Sequence, residues 1–212
     1  MSKLSLFRRN KDEEEQTVNT SYFLILIFAV IALIAAFTLS MEEIHLMKNP
    51  DAVLSCTLNA VLNCASVMKT WQASVFFGIP NMFIGLMAFP VLITVAIAAL
   101  WGGARFKKGF LRAMNIGVLL GTIFAYWLFF NSIYVIEVLC PWCLIVTFSC
   151  TMILAATTHL GLRENIWNLA TGTNKKVQNF LKSGYHQLAV ASWIVLMVVL
   201  VFLKFGTALF AS

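Results

Sequence analysis

The sequence predicts an all-α integral membrane protein with five transmembrane helices. Of its 212 residues, 60% are hydrophobic and only 11% are charged, and the mean hydropathy is +0.86. Soluble globular domains do not reach such values. Five apolar runs of at least 18 residues are separated by short polar segments, and about 20 apolar residues suffice to cross a hydrocarbon core of about 30 Å. Because fewer than forty residues separate any two consecutive runs, we expect a single membrane domain.

The first element is predicted to be a transmembrane helix over residues 22–39. Residues 1–20 are polar and charged and have no apolar period, so we expect a mobile cytoplasmic tail there. The apolar run is longer than the core of a usual signal peptide and lacks a small-residue cleavage site. We therefore expect the run to remain as a membrane span.

Residues 41–78 form the longest predicted loop and contain Cys56 and Cys64. The segment is too polar to cross a membrane, but its second half carries an apolar and aromatic patch formed by Trp71, Val75, Phe76 and Phe77. This mixture favours a short amphipathic helix at 66–77 that lies on the membrane surface. An ordinary connecting loop is the alternative.

The remaining spans follow the other apolar runs. The second is predicted at 79–101, the third at 113–136, the fourth at 140–160 and the fifth at 188–205. A short basic turn joins the second and third spans, residues 161–187 form a polar loop, and residues 206–212 form a tail. We expect residues 21–160 to be the catalytic membrane domain.

The distribution of Lys and Arg predicts the orientation. With the amino terminus in the cytoplasm, twelve of these residues lie on the inner side and only three, Lys48, Lys69 and Lys204, on the outer side. Cytoplasmic segments of membrane proteins carry such an excess. The orientation predicts a plasma-membrane protein whose loop cysteines and Cys140 face the oxidising, extracytoplasmic side. The net charge of +6 therefore reflects topology and predicts no nucleic-acid partner.

Cys140 and Cys143 form a C-x-x-C motif at the start of the fourth span. Positions i and i+3 of a helix share one face, and the unpaired N–H groups and dipole of a helix N-terminus favour the thiolate. Pro141 suits a first turn because it has no N–H. An ionised Glu137 close to these cysteines would instead disfavour the thiolate form. The motif therefore favours redox chemistry.

Two other interpretations of these cysteines remain open. Free cysteines in apolar helices are often inert, and C-x-x-C is also half of a zinc site. The second pair, however, has seven intervening residues and no nearby histidine, so we predict no metal site. Cys150 lies on the same helical face as Cys143, and we expect it to serve core packing.

Two dithiols on one side of a membrane can form a relay. The loop pair would exchange with a soluble protein, and the membrane pair would take two electrons from the loop pair through a mixed disulfide. A lipid-soluble quinone is a natural acceptor for those electrons. The aromatic residues of the third span could line its site, or they could form an interfacial belt; they are Phe124, Tyr126, Trp127, Phe129, Phe130 and Tyr134.

Residues 20–160 resemble the vitamin K epoxide reductase family, especially its bacterial disulfide-forming members. Three features carry the resemblance: the Cys56-x7-Cys64 loop after the first span, the sequence Phe-Gly-Ile-Pro-Asn at 77–81 that opens the second, and Cys140-x-x-Cys143 at the start of the fourth.

The resemblance implies a four-helix bundle around a quinone, either menaquinone or ubiquinone, with a fifth helix added. Cys143 would face the quinone, Cys140 would pair transiently with Cys64, and Cys56 would meet the soluble partner. Asn81 matches an asparagine that hydrogen-bonds the quinone. Thr147 stands where the family has a tyrosine, so only a hydroxyl remains for the second contact.

Some bacterial relatives carry a fused thioredoxin-like domain after a fifth span. Here the fifth span is present and no such domain follows it, so the resemblance implies a separate soluble, thioredoxin-fold (DsbA-like) protein as the partner.

The leading hypothesis from the sequence is a quinone-linked thiol oxidase that reoxidises this soluble disulfide donor. One alternative is a reductase of vitamin K epoxide or quinone on the same scaffold. Another, from a different class, is a membrane protein that binds or transports metal with its cysteines.

Overall fold

A computed structural model describes residues 3–50, 54–57, 59 and 61–210; of residues 3–14, 182 and 207–210 it describes only the backbone. In these ranges the chain forms seven α-helices and no β-strand. The helices are α1 (Lys3–Lys48), α2 (Cys64–Met68), α3 (Asn81–Leu100), α4 (Lys108–Asn131), α5 (Pro141–Arg163), α6 (Thr171–Lys182) and α7 (Tyr185–Phe210).

Five helices are long and apolar enough to cross a membrane. Their candidate spans are Glu15–Lys48, Asn81–Leu100, Lys108–Ile136, Pro141–Arg163 and Tyr185–Gly206. Each overlaps one of the five predicted spans, so the prediction of an all-α membrane protein is confirmed.

Helix α1 begins much earlier than its apolar run. The sequence predicts a mobile tail up to residue 20, whereas the helix in the structure starts at Lys3. Unbranched Lys, Arg, Glu and Gln side chains are good helix formers. Once an apolar span has nucleated a helix, each added residue gains a backbone hydrogen bond, so the polar segment extends the helix.

Helix α1 packs against α3 and α5, and α4 packs against α5. Small residues allow the close approach of α1: Ala29 and Ala32 are fully buried, and Ala36 nearly so. Small side chains let helix backbones come together and so increase van der Waals contact. The buried residues of α1, α3 and α5 form one hydrophobic cluster.

The loop between α1 and α3 contains two short helical pieces where one helix was expected over 66–77. They are α2 and a 3-10 helix at Trp71–Ser74. Thr70 between them has an extended backbone, with φ −86° and ψ 152°, and Phe77 and Gly78 have φ of 54° and 75°. These conformations end the helical pieces and turn the chain into α3. The expectation of a single helix is therefore wrong, although Trp71 and Phe77 are exposed as an interfacial segment requires.

The polar loop at 161–187 is more ordered than the sequence suggested, since it contains α6. Gln178 of α6 donates a hydrogen bond to the carbonyl of Leu162 (3.0 Å), and Leu181 is buried. Helix α6 therefore packs against the end of α5.

Candidate active site

Cys56 and Cys64 form a disulfide whose Cα atoms lie 5.7 Å apart. The sequence did not show which cysteines are joined by a disulfide. Cys64 is the first residue of α2, and Asn63 caps that helix by accepting a hydrogen bond from the Ser66 N–H. Both cysteines are buried, with 5% and 0% of their surface exposed.

Cys140 occupies the N-cap of α5, and Pro141 begins the helix. The Cys140 Sγ accepts a hydrogen bond from the backbone N–H of Cys143 (3.4 Å), one of the N–H groups that a helix leaves unpaired at its start. The C-x-x-C spacing thus lets the first cysteine of the motif cap the helix that holds the second. Cys140 is 2% exposed and carries a free thiol.

The two cysteine pairs meet at Cys64 and Cys140, whose Sγ atoms lie 3.4 Å apart. Thiol–disulfide exchange requires a thiolate to approach one sulfur of a disulfide. The two sulfur atoms are in contact, so only a short further approach separates them from a bond. Exchange of Cys140 with Cys64 would release Cys56.

Two backbone hydrogen bonds hold the loop pair against the membrane pair. The N–H of Leu139 donates to the carbonyl of Val61 (2.7 Å), and the N–H of Asn63 donates to the carbonyl of Leu139 (3.0 Å). Each cysteine directly follows one of these paired residues in the chain, Cys140 after Leu139 and Cys64 after Asn63. The backbone pairing therefore fixes the distance between the two sulfurs.

The pKa of Cys140 lies below its usual value. The main cause is the hydrogen bond with the Cys143 thiol; burial opposes the shift, and the backbone N–H groups of Cys143 and Trp142 add to it. A lower pKa increases the fraction of thiolate at neutral pH, and the thiolate is the attacking form. Cys140 therefore has the environment of an attacking thiol.

Cys140 and Cys143 both line a cavity of about 530 Å³. Helices α1, α3, α4 and α5 all contribute to its walls, which are mostly apolar. Gly117 and Gly121 of α4 line it, and a Cβ added at either glycine would meet no atom within 4 Å. The volume falls in the usual range for small-molecule sites, about 300–1,000 Å³. Its size and apolar lining are those of a site for an apolar small molecule.

Asn81 and Thr147, the two residues that the resemblance assigns to quinone contacts, both line the cavity. The Asn81 Nδ2 donates to the carbonyl of Gln72 (2.7 Å), and its Oδ1 accepts from the N–H of Val75 (3.3 Å). Asn81 thus holds the 3-10 helix over the cavity, and Nδ2 keeps a second hydrogen for a ligand. The Thr147 hydroxyl donates to the carbonyl of Cys143 (2.9 Å) and can still accept.

The aromatic residues of α4 divide into two groups. Phe124 and Phe129 line the cavity. Trp127 instead stacks on Phe124 at a centroid distance of 5.8 Å, and Tyr134 is exposed. The Tyr126 hydroxyl lies 2.6 Å from Thr151 Oγ1 and accepts a hydrogen bond from Trp193 of α7 (2.8 Å). Only some of the aromatic residues of α4 therefore line the cavity.

Glu137 and Lys204 form an ion pair that the sequence analysis did not identify. The Lys204 Nζ lies 2.6 Å from Glu137 Oε1, and this hydrogen bond lowers the pKa of Glu137. The available signal was the position of two opposite charges at the outer ends of the third and fifth predicted spans. With Lys204 paired to it, Glu137 opposes the Cys140 thiolate less than an isolated carboxylate would.

The part of the chain that the structure describes contains no candidate metal site. No group of three or more His, Cys, Asp or Glu side chains there is arranged to hold a metal ion. Cys150 lines the same cavity as Cys143 and is free.

Comparison with known proteins connects this geometry to one family. Residues 23–158 match the model described as the vitamin K epoxide reductase family. The matched range is more than half of the chain and includes Cys56, Cys64, Cys140 and Cys143. No curated protein matches the chain. Helices α6 and α7 lie outside the matched range.

Proposed function

The chain belongs to the vitamin K epoxide reductase family, and on that premise we propose that it is a membrane thiol:quinone oxidoreductase acting as a thiol oxidase. It reoxidises a soluble, thioredoxin-fold disulfide donor outside the cytoplasm. The observation that carries the proposal is the continuous path from the buried disulfide, across the 3.4 Å Sγ–Sγ contact, to the apolar cavity beside Cys143.

The first half-reaction takes place at the loop pair. A thiolate of the reduced partner attacks Cys56, and Cys64 leaves as a thiolate. The second thiol of the partner then displaces Cys56, so that the partner gains a disulfide and the loop pair becomes a dithiol. Because Cys56 is buried, the segment around it must open first; the backbone N–H of Ser55 donates to Glu42 Oε1 (3.3 Å) and holds it closed.

The second half-reaction takes place between the pairs. The Cys64 thiolate attacks Cys140 of an oxidised Cys140–Cys143 pair, and Cys143 leaves as a thiolate. Cys56 then attacks Cys64 and restores the loop disulfide. The membrane pair now holds two thiols that line the cavity.

The final step regenerates the membrane disulfide. A quinone supplies an acceptor for two electrons and two protons. Two thiols and one quinone give one disulfide and one quinol, so electrons and protons balance. Cys143 faces the acceptor, Cys140 closes the disulfide, and Asn81 and Thr147 orient the acceptor through its oxygen atoms.

The proposal includes a membrane arrangement. Helices α1, α3, α4 and α5 form a four-helix bundle around the quinone, within a catalytic domain at residues 21–160. The protein lies in the plasma membrane with its amino terminus and the 161–187 loop in the cytoplasm. The count of twelve inner and three outer Lys and Arg residues supports this orientation.

The test is turnover of purified protein with a reduced dithiol donor and a short-chain quinone. We expect Cys143→Ala to abolish quinol formation. Met152→Leu serves as the comparison, because it replaces another sulfur-containing side chain of the same helix that does not line the cavity; we expect it to keep turnover within a few fold of the unmodified protein. Unaltered turnover of Cys143→Ala would refute the proposal. Supplying vitamin K epoxide in place of quinone tests the reductase alternative, because only a reductase of this substrate would consume it.

A further inference from the structure

Helix α7 contacts the segment that leads into Cys140, although it lies outside the range matched by the family. None of its described residues lines the cavity. Its role must therefore lie in the residues that it positions.

The first contact is hydrophobic and centres on Leu139. This residue is 1% exposed and belongs to a cluster with Met197 and Phe205 of α7 and with Phe129 and Ile133. Partly buried residues at the edge of the cluster come from α4, α5, α7 and the loop; they are Leu200, Val201, Tyr126, Leu144, Val61 and Leu62. Helix α7 thus shares a hydrophobic cluster with the residue that immediately precedes Cys140.

The second contact is the ion pair of Lys204 with Glu137, at 2.6 Å. Glu137 has a left-handed backbone, with φ 57°, where the π-helical turn at Ser132–Ile136 ends. The next residue, Val138, donates from its N–H to the carbonyl of Ser132 (3.2 Å). Lys204 therefore holds the turn that sends the chain from α4 to Cys140.

Residues 137–139, which contact α7, also form hydrogen bonds with the loop. The backbone of Leu139 bonds to Val61 and Asn63, and the residues that follow Leu139 and Asn63 are the contacting cysteines Cys140 and Cys64. A shift of residues 137–139 would change the distance between the two sulfurs directly.

We propose that α7 is a brace for the redox relay and that Lys204 is a positioning residue, which keeps Cys140 within bonding distance of Cys64. The inference rests on the proposed exchange between the two pairs and assigns it a determinant in the fifth helix. The step measured below is the reverse of the one that restores the loop disulfide, and it is balanced: the Cys140 thiolate bonds to Cys64, the Cys64–Cys56 bond breaks, and Cys56 leaves as a thiolate.

The experiment measures this exchange without quinone. In a Cys143→Ala background, attack of Cys140 on the loop disulfide releases Cys56, which a maleimide reagent then traps. We expect Lys204→Gln to slow trapping about three- to tenfold and Lys204→Arg to keep the parent rate. The charge exchange Glu137→Lys with Lys204→Glu should restore at least half of the rate. Lys176→Gln on α6 is the matched control and should have no effect.

Thermal unfolding of the same variants separates positioning from a general loss of stability. Exposed ion pairs contribute little to stability, so we expect the melting temperature of Lys204→Gln to stay within about 2 °C of the parent. An unchanged trapping rate in Lys204→Gln, or a charge exchange as slow as the single variant, would overturn the proposal. If trapping responds to Lys204 but the unmodified protein reduces no quinone, the proposed function fails and the brace stands.

Discussion

At the scale of single residues, the chemistry depends on how Cys143 acts on Cys140. The hydrogen bond between their side chains is the main reason why the pKa of Cys140 is lowered. A lowered pKa means that the thiolate persists to lower pH, and that exchange slows only when the pH falls through that lower value. In the proposed mechanism Cys143 therefore has two tasks, to lower the pKa of Cys140 and to reduce the acceptor.

The pH dependence of exchange tests this tuning. We expect the rate of Cys64–Cys140 bond formation to begin its decline at a higher pH in Cys143→Ala than in Cys143→Ser, because serine still donates a hydrogen bond to Cys140. Below the pKa of Cys140 both rates should fall about tenfold per pH unit, as the thiolate fraction does. Superimposed profiles would show that the side-chain hydrogen bond does not tune Cys140.

Asn81 should determine the affinity for the acceptor. Asn81→Ala removes both hydrogen bonds to the segment over the cavity and the donor proposed for the quinone. One hydrogen bond contributes about 0.5–1.5 kcal/mol, so we expect the KM for quinone to rise about tenfold with little change in kcat. Asn131→Ala, which removes an exposed amide bonded to Trp127, is the control. An unchanged KM for Asn81→Ala would contradict the assignment.

The sequence was informative about residues where covalent spacing determines geometry. The C-x-x-C motif and its Pro141 predicted that a helix starts at the cysteines, and α5 begins at Pro141 with Cys140 as its N-cap. The two hydrogen bonds of Asn81 to the loop could not be predicted, because they depend on the positive φ of Phe77 and Gly78, which bring Gln72 and Val75 back over α3.

At the scale of helices, apolar runs predicted the spans because hydrocarbon leaves the backbone no other partners. The same reasoning failed for residues 66–77, where the chain is not in hydrocarbon and backbone conformations at Thr70 and Phe77 interrupt the helix. It also failed for residues 3–20, where helix propagation outweighs the lack of an apolar period.

Close packing at the end of α5 opposite the cysteines gives a test of stability that should leave the redox site intact. A Cβ at Gly161 would lie 2.6 Å from the Cδ1 of Ile166, which is fully buried. Overpacking costs about 1–3 kcal/mol, so Gly161→Ala should lower the melting temperature by about 2–10 °C while Cys64–Cys140 exchange is retained.

Gly109→Ala is the matched control for this substitution, since its Cβ would meet nothing within 4 Å. It should be neutral or slightly stabilising, because alanine is the better helix former. Equal melting temperatures for the two variants would show that the contact between Gly161 and Ile166 does not constrain packing.

At the scale of the whole molecule, the end that carries the loop also carries the start of α5 and, through Lys204, the end of α7. We expect these groups on the outer side. An impermeant maleimide should label Trp71→Cys, at an exposed loop position, in intact cells, and Gly172→Cys in α6 only in inverted vesicles. The reverse pattern would place the relay in the reducing cytoplasm and contradict the account.

The sequence could suggest that two cysteine pairs share one membrane face, but it could not show that they touch. Cys64 and Cys140 are 76 residues apart, and the backbone pairing of Leu139 brings them together. In our proposal their contact also depends on a fifth helix that the family match does not cover. Long-range contacts of this kind are set by packing, which local patterns do not encode.

The central claim is that electrons pass between the pairs through Cys64 and Cys140. The most direct measurement is peptide mapping, without reduction, of the Cys56→Ala, Cys143→Ala double variant after mild oxidation. The account predicts that most molecules carry a Cys64–Cys140 disulfide, and that a variant retaining only Cys64 and Cys143 of the four carries almost none between them. If Cys64 and Cys140 remain alkylatable as free thiols, or if Cys64 pairs equally well with Cys143, the relay described here is contradicted.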